Sequence, residues 1–174
     1  MDVELAIKKR KSIRRFENEE VSDILVEEVI KAAKQAPSSH NLQNWHFVVV
    51  KDKKTKEKFM EQNVFVQKEI CDAPVIIVCC ADKEAYSKHS IREHETNMQL
   101  VNLSLASAFL VLRATELELG TCFVAWCNKE KIKKLLGIPR SKVIPFVIVM
   151  GHPAENPEPR SRKSLGKILH KEKW

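Results

Sequence analysis

Glycine is scarce in this chain, at four residues in 174. None of them falls in a GxGxxG after a first strand or in a GxxxxGKS/T, so the glycine-based phosphate cradles are absent and a bound phosphate would need side chains to hold it. The five cysteines, Cys71, Cys79, Cys80, Cys122 and Cys127, are odd in number and form no CxxC. That spacing argues against a zinc cluster and against the disulfide framework of a small secreted chain, and leaves reduced, mostly buried thiols. The longest apolar runs, 74–81 and 143–150, are far too short to span a bilayer, and the opening MDVELAIKKRKS lacks the apolar centre of a signal peptide. A soluble, cytoplasmic protein with no membrane contact is the expectation. There is no low-complexity stretch and no repeat at a solenoid or propeller period.

What is present is globular: 44% hydrophobic and 30% charged residues, enough for one domain over residues 1–174 around a single sizeable core. The net charge of +7 is concentrated in KKRKSIRR (8–15) and in the tail from Arg160 to Lys173. Such an excess favours an anionic partner, whether nucleic acid, an acidic surface or a phosphorylated small molecule, and charge by itself does not choose among them. A basic nucleic-acid module ranks last, because aromatics for stacking are few and no groove-reading motif occurs.

Local patterning predicts the elements. Asp2 caps a short helix with Val3, Ala6 and Ile7 on one face, and Ser22 caps a second, with Val21 and Val26 as a hydrophobic staple and Pro37 as its stop. A polar loop, 38–44, leads into a β segment over 46–50, and 53–62 reads as an exposed helix. VIIVCC (75–80) has the continuous apolar character of a central strand. Residues 90–119 contain neither proline nor glycine and predict one long helix closed by Gly120. Its middle, 100–112, is apolar on nearly every face, which requires burial inside the domain or against a second subunit. His89, His94 and Glu95 on it read as surface or interface residues. Thr121–Trp126 and Val143–Met150 predict the remaining strands, with an Asn128-capped helix stopping at Gly137 between them. The segment 154–174 reads as an arm without packing of its own.

Two segments carry candidate chemistry. If the chain becomes extended near Arg10, then Arg10, Ser12 and Arg14 point to one side while Ile13 turns inward. Two guanidinium groups and a hydroxyl would converge, and arginine forks match phosphate oxygens bidentately. A solvated basic run or a nucleic-acid patch would look the same at this level. The second segment, PSSHNLQNW (37–45), offers hydroxyl and carboxamide groups suited to a heterocycle edge or sugar-like hydroxyls, with an aromatic beside them. An ordinary polar loop with an anchoring tryptophan fits that segment as well.

RKSIRRF near the start, AAKQAPSSHNLQNWHFVVV, LELGTC, LLGIP, VIVMGHP and the late RSRKSL, in this order over nearly the whole chain, resemble the FMN-dependent nitroreductase family. The resemblance implies an α+β fold with a mostly antiparallel central sheet flanked by helices. It also implies an intertwined homodimer, with residues 154–174 packing on the partner subunit. Arg10, Lys11, Ser12 and Arg14 then match the FMN phosphate and ribityl contacts, and Arg162, with Arg160, matches the late basic positions that return to the phosphate. Pro37, Ser38, Ser39 and Asn41 match the loop that the partner places against the flavin. Ala125 and Trp126 fall where a main-chain N–H faces the flavin N5 edge, and Gln67 stands for a contact to the pyrimidine edge. Where the family often has glycine, this chain has Glu118 and Trp126, the latter on the substrate side. The implied activity is NAD(P)H oxidation with ping-pong hydride transfer to nitroaromatic- or quinone-like acceptors, the flavin carrying the redox chemistry, with no catalytic acid–base pair and no metal. A flavin-binding carrier or sensor without efficient turnover is the alternative.

Overall fold

The computed structural model describes residues 1–85 and 97–174. Strands β1 (Trp45–Val50), β2 (Val75–Asp82), β3 (Gly120–Val124) and β4 (Lys142–Gly151) form one antiparallel sheet in the order β1-β2-β4-β3. Around it lie α1 (Val3–Lys9), α2 (Asp23–Lys34), α3 (Lys53–Glu61), α4 (Met98–Glu116) and α5 (Lys129–Leu136). The architecture is α+β, as expected.

The apolar run predicted as a central strand is β2, which sits between β1 and β4 with Val75 through Ala81 all buried. Its alternation feeds two cores rather than the single one expected. Val75, Ile77 and Cys79 pack with Val29 and Ala33 of α2 and with Leu103 and Leu110 of α4. Ile76, Val78 and Cys80 pack on the opposite face with Phe59 of α3 and Ile132 of α5. A strand has a side-chain period of two, so a run apolar at every position needs helices on both faces. Burial also pushes the Cys71 and Cys80 thiols up to about 11, and Cys79 further still, in keeping with inert buried thiols.

The caps are where the sequence puts them. Asp2 Oδ1 accepts from Leu5 N–H at 2.7 Å, Ser22 Oγ from Leu25 N–H at 3.3 Å and Asn128 Oδ1 from Lys131 N–H at 3.0 Å. Val21 and Val26 are both buried. Gly137, at φ +65°, ends α5 in the left-handed conformation that glycine adopts without strain.

Several expectations need correction. Helix α2 ends at Lys34, with Gln35 N–H closing on the Ala32 carbonyl and Ala36 N–H on the Ala33 carbonyl, so Pro37 lies beyond the cap and does not itself break the helix. The start of the long helix at Ser90, together with His89, His94 and Glu95, lies outside the described residues. At its other end the helix stops at Glu116, and the left-handed residue is Glu118, at φ +62°, not Gly120. Gly120 opens β3 instead. By length and hydropathy alone α4 could cross a bilayer, but here it packs on α2 and the sheet. Its opposite face bears Val101, Leu105 and Phe109, each more than a third exposed. In α1 only Ala6 is buried, and Val3 and Ile7 face solvent. Strand β3 ends at Val124, because Ala125 to Cys127 makes a tight turn with Cys127 N–H donating to the Ala125 carbonyl at 3.0 Å. The segment 154–174 is not uniformly unpacked: its first residues are tied to the N-terminal segment, and the exposed run begins at Glu158.

Candidate functional site

The chain leaves α1 at Arg10, whose N–H closes the helix on the Ala6 carbonyl at 3.0 Å. It then runs extended along the outer edge of β3. Ser12 pairs with Thr121 in parallel, and Ile13 N–H donates to the Thr121 carbonyl at 2.9 Å. Ile13 is buried, as the alternation predicts. What allows so close an approach is a pair of glycines facing each other across β3 and β4. Gly120 and Gly151 are register partners, and a Cβ on Gly120 would come within 2.8 Å of the Ile13 side chain. One on Gly151 would meet Pro74 at 2.7 Å and Phe16 at 2.9 Å. The N-terminal segment therefore crosses the sheet edge over a step where side chains are missing.

Beyond Phe16, which bridges Pro153, Glu17 N–H donates to the His152 carbonyl at 2.9 Å and Ala154 N–H to the Arg15 carbonyl at 3.0 Å. The chain leaving β4 is thus hydrogen-bonded to the segment entering from α1. Both termini are brought to one place, and their cations with them.

The result is a cleft of about 510 Å³ lined by Lys8, Arg10, Lys11, Ser12 and Arg14 from the N-terminal side and by Arg160 and Arg162 from the C-terminal side, with Pro157 and Pro159 between. Among the described residues, six cationic side chains meet one carboxylate, that of Glu158. Lys11 Nζ donates to Asn156 Oδ1 at 2.6 Å, and Arg162 Nη1 to the Arg160 carbonyl at 2.8 Å. A donor set of this sign, with forked guanidinium groups and a hydroxyl, suits a multiply charged oxyanion.

A second hollow of about 330 Å³ adjoins it, and Arg14 lines both. Its walls are Val66, Ile70, Cys122, Phe123 and Val124, with Gln67, Ala125 and Trp126. Phe123 is braced edge-to-face on Phe146 at 5.0 Å, while the Trp126 residue is 78% exposed. The turn that carries Trp126 is pinned on its far side by a Phe65–Cys127 bridge and by Asn128 N–H donating to the Val64 carbonyl at 2.7 Å. An apolar, partly aromatic hollow joined to a cationic cleft matches a flat ring carrying a phosphorylated side chain.

Nine of the predicted site residues are therefore brought together: Arg10, Lys11, Ser12, Arg14, Arg160 and Arg162 around the cleft, and Gln67, Ala125 and Trp126 around the hollow. Pro37, Ser38, Ser39 and Asn41 line neither. Their loop leans on α4 instead: Ser39 N–H donates to Asn102 Oδ1 at 3.1 Å, and Asn102 Nδ2 donates to the buried Asn44 Oδ1 at 2.9 Å. His40, Asn41 and Gln43 all have φ near +50°, backbone that costs a non-glycine residue about 1 kcal/mol or more. A tertiary anchor is needed to hold it.

Sequence reasoning missed Glu155. Its Oε1 accepts from Arg14 N–H at 2.6 Å and Arg15 N–H at 3.3 Å, and its Oε2 accepts from Arg15 Nε at 3.2 Å. The Arg14 N–H, and then Arg15, hold its carboxyl below the usual range. The signal lay in the acidic residue two positions after GHP, within a segment read as an unpacked arm.

A sequence profile of the nitroreductase family matches residues 7–64 and 60–152. The chain belongs to the nitroreductase family. It is 36% identical, over its whole length and 88% of the relative's, to a protein of Methanothermobacter thermautotrophicus provisionally named NADH dehydrogenase/NAD(P)H nitroreductase. It is 28% identical to the FMN reductase [NAD(P)H] of Bacillus subtilis, over 94% of this chain and 71% of that one. A crystal structure of a nitroreductase family protein from Clostridium difficile matches all of this chain and 99% of its own, with a TM-score of 0.84 and 25% identity. This nitroreductase-family chain is an oxidoreductase.

Proposed function

We propose that this nitroreductase-family protein is an FMN-dependent NAD(P)H oxidoreductase that reduces small, electron-poor acceptors of nitroaromatic or quinone type. The observation that carries the reading is the continuity of the cationic cleft with the ring-sized hollow through Arg14. The names of its relatives, FMN reductase and NAD(P)H nitroreductase among them, support the flavin and the reductant.

In this reading Arg10, Arg14, Arg160 and Arg162 neutralise the phosphate, Lys11 adds charge, and the Ser12 hydroxyl supplies a neutral donor. Phe123, Val66 and Ile70 exclude water from one side of the ring, Gln67 offers its carboxamide to the polar edge, and the Ala125–Trp126 turn offers backbone N–H groups. Bound there, the isoalloxazine supplies hydride exchange, chemistry that none of the lining side chains performs. The nicotinamide and the acceptor use the open side in turn, beside Trp126.

The same reading includes a cytoplasmic homodimer. Val101, Leu105 and Phe109 recur at intervals of four on α4, and Val3 and Ile7 of α1 and Leu165, Ile168 and Leu169 of the tail are exposed as well. A second copy covering them would bring its Pro37, Ser38, Ser39 and Asn41 to the ring and receive residues 154–174.

An absorbance spectrum of the purified protein, followed by chromatography of the released chromophore, tests the cofactor. A flavin spectrum and elution with authentic FMN are expected; colourless protein that takes up no added FMN would refute the assignment. A second reading, a flavin binder without efficient turnover, is favoured by one feature, the bulky indole of Trp126 on the substrate side. Steady-state NAD(P)H oxidation with quinone and nitroaromatic acceptors separates the two, since a mere binder shows none.

A further inference from the structure

We propose that Glu155 is the positioning residue of the anion site: its carboxylate, arriving from the C-terminal end of the chain, clamps the Arg14 backbone and thereby sets where the cations of both termini stand. The proposal rests on the reading of the cleft as the FMN phosphate site.

A carboxylate next to a cluster of six cations works against anion binding if its charge faces the ligand. Glu155 does not line the cleft; the carboxylate that does is Glu158. The two oxygens of Glu155 are spent elsewhere, Oε1 on the N–H groups of Arg14 and Arg15 and Oε2 on Arg15 Nε, and the side chain is only 18% exposed. The contacts place its charge behind the N-terminal strand, where it orders backbone instead of neutralising the guanidinium groups in front.

The clamp acts on both halves of the site. On one side it grips the backbone of Arg14, the residue shared by cleft and hollow. On the other, the next residue, Asn156, accepts from Lys11 Nζ at 2.6 Å, and the chain then runs through two prolines to Arg160 and Arg162. Proline stiffens that short span, so the register fixed at Glu155 is passed to the two late arginines. Charge-assisted, multi-donor recognition of a phosphate demands donors held to within about half an ångström. Without the clamp, Arg14, Arg160 and Arg162 keep their charges and lose their common geometry.

A phosphate-specific effect distinguishes this role from a general one. FMN and riboflavin differ in the phosphate alone, so their affinities for the full-length, flavin-stripped protein, read by quenching of flavin fluorescence, separate the cleft from the hollow. Glu155→Ala is expected to weaken FMN about tenfold and leave riboflavin within about twofold of wild type. Glu155→Gln, whose Oε1 still accepts from Arg14 N–H, is expected to recover most of the lost FMN affinity, and it carries the test if the alanine variant fails to fold. Equal weakening of both ligands would mean a merely structural role and overturn the proposal, as would unchanged FMN affinity in both variants. If the wild type binds riboflavin and FMN equally, or neither, the phosphate-site reading itself fails and the clamp falls with it.

Discussion

Arg14 is exposed and lines both the cationic cleft and the adjoining hollow, and among the described residues its guanidinium contributes a single 3.4 Å contact, to the Ser12 carbonyl. A side chain so little engaged in the fold has more to do with a ligand than with stability. Arg14→Ala is therefore expected to lower FMN affinity about tenfold, the worth of a charge-assisted contact, and to shift the melting temperature of the apoprotein by less than about 1 °C. Flavin content per protein, measured by absorbance after identical purification, checks it; equal content in variant and wild type would remove Arg14 from the site. Glu118 shows the opposite balance, a residue whose cost is structural. It holds φ +62° at the exit of α4, a conformation in which a Cβ is strained. Glu118→Gly relieves that strain, partly offset by the freedom glycine gains in the unfolded chain. It is expected to add about 0.5–1 kcal/mol, a rise of roughly 2 °C in Tm by scanning calorimetry.

At the scale of elements, the N-terminal strand depends on the Gly120–Gly151 step beneath it. The three nearest atoms that a Cβ on Gly120 would meet, at 2.8–2.9 Å, belong to Ile13, its own Cβ among them, so rotamer change alone cannot relieve the clash. Gly120→Ala must push the strand off β3, at a cost of about 1–3 kcal/mol, and carry Ser12 and Arg14 with it. Loss of FMN binding together with a lowered Tm is the expected pair of results, and a variant that keeps both unchanged would show the contact to be looser than described. The helices α2 and α4 are joined at their surface by Arg113, which donates to Glu28 at 2.7 Å and to Glu116 at 2.6 Å. Both carboxyl groups are held below their ordinary value of 4.5, in each case first by the hydrogen bond from Arg113. A depressed carboxylate contributes stability that is complete above its unfolded-state pKa and is lost as pH falls through the lower folded one. Melting temperature is thus expected to fall below about pH 4.5, and an Arg113→Leu variant should show a shallower acid dependence. Parallel curves for the two proteins would mean that Arg113 has no part in it.

For the whole molecule, the exposed Val101, Leu105 and Phe109 on one side of α4 are the counterpart of the buried Leu103, Leu110 and Val111 on the other. An all-round apolar helix half-covered by its own chain needs a second cover. Leu105→Glu leaves the buried face intact and is expected to convert the proposed dimer to a folded monomer, seen by light scattering coupled to size exclusion. A wild-type protein that already elutes as a monomer at micromolar concentration would contradict the dimer.

Local chemistry was legible in the sequence by itself. The capping side chains of Asp2, Ser22 and Asn128, the left-handed Gly137, the doubly buried strand over 75–80 and the alternation of Arg10, Ser12 and Arg14 about Ile13 all rest on periods and bonds spanning a few residues, which the chain encodes directly. The family motifs added Arg160 and Arg162 at the far end. What tertiary structure alone decided was adjacency between distant segments. Gly120 reads locally as a helix terminator but serves as clearance for Ile13. Residues 154–156 read as the start of a loose arm but are bound to the segment 11–15, and Glu155 acts on a residue more than a hundred positions away. Such roles depend on what lies within a few ångströms after folding, and no periodicity along the chain carries that information.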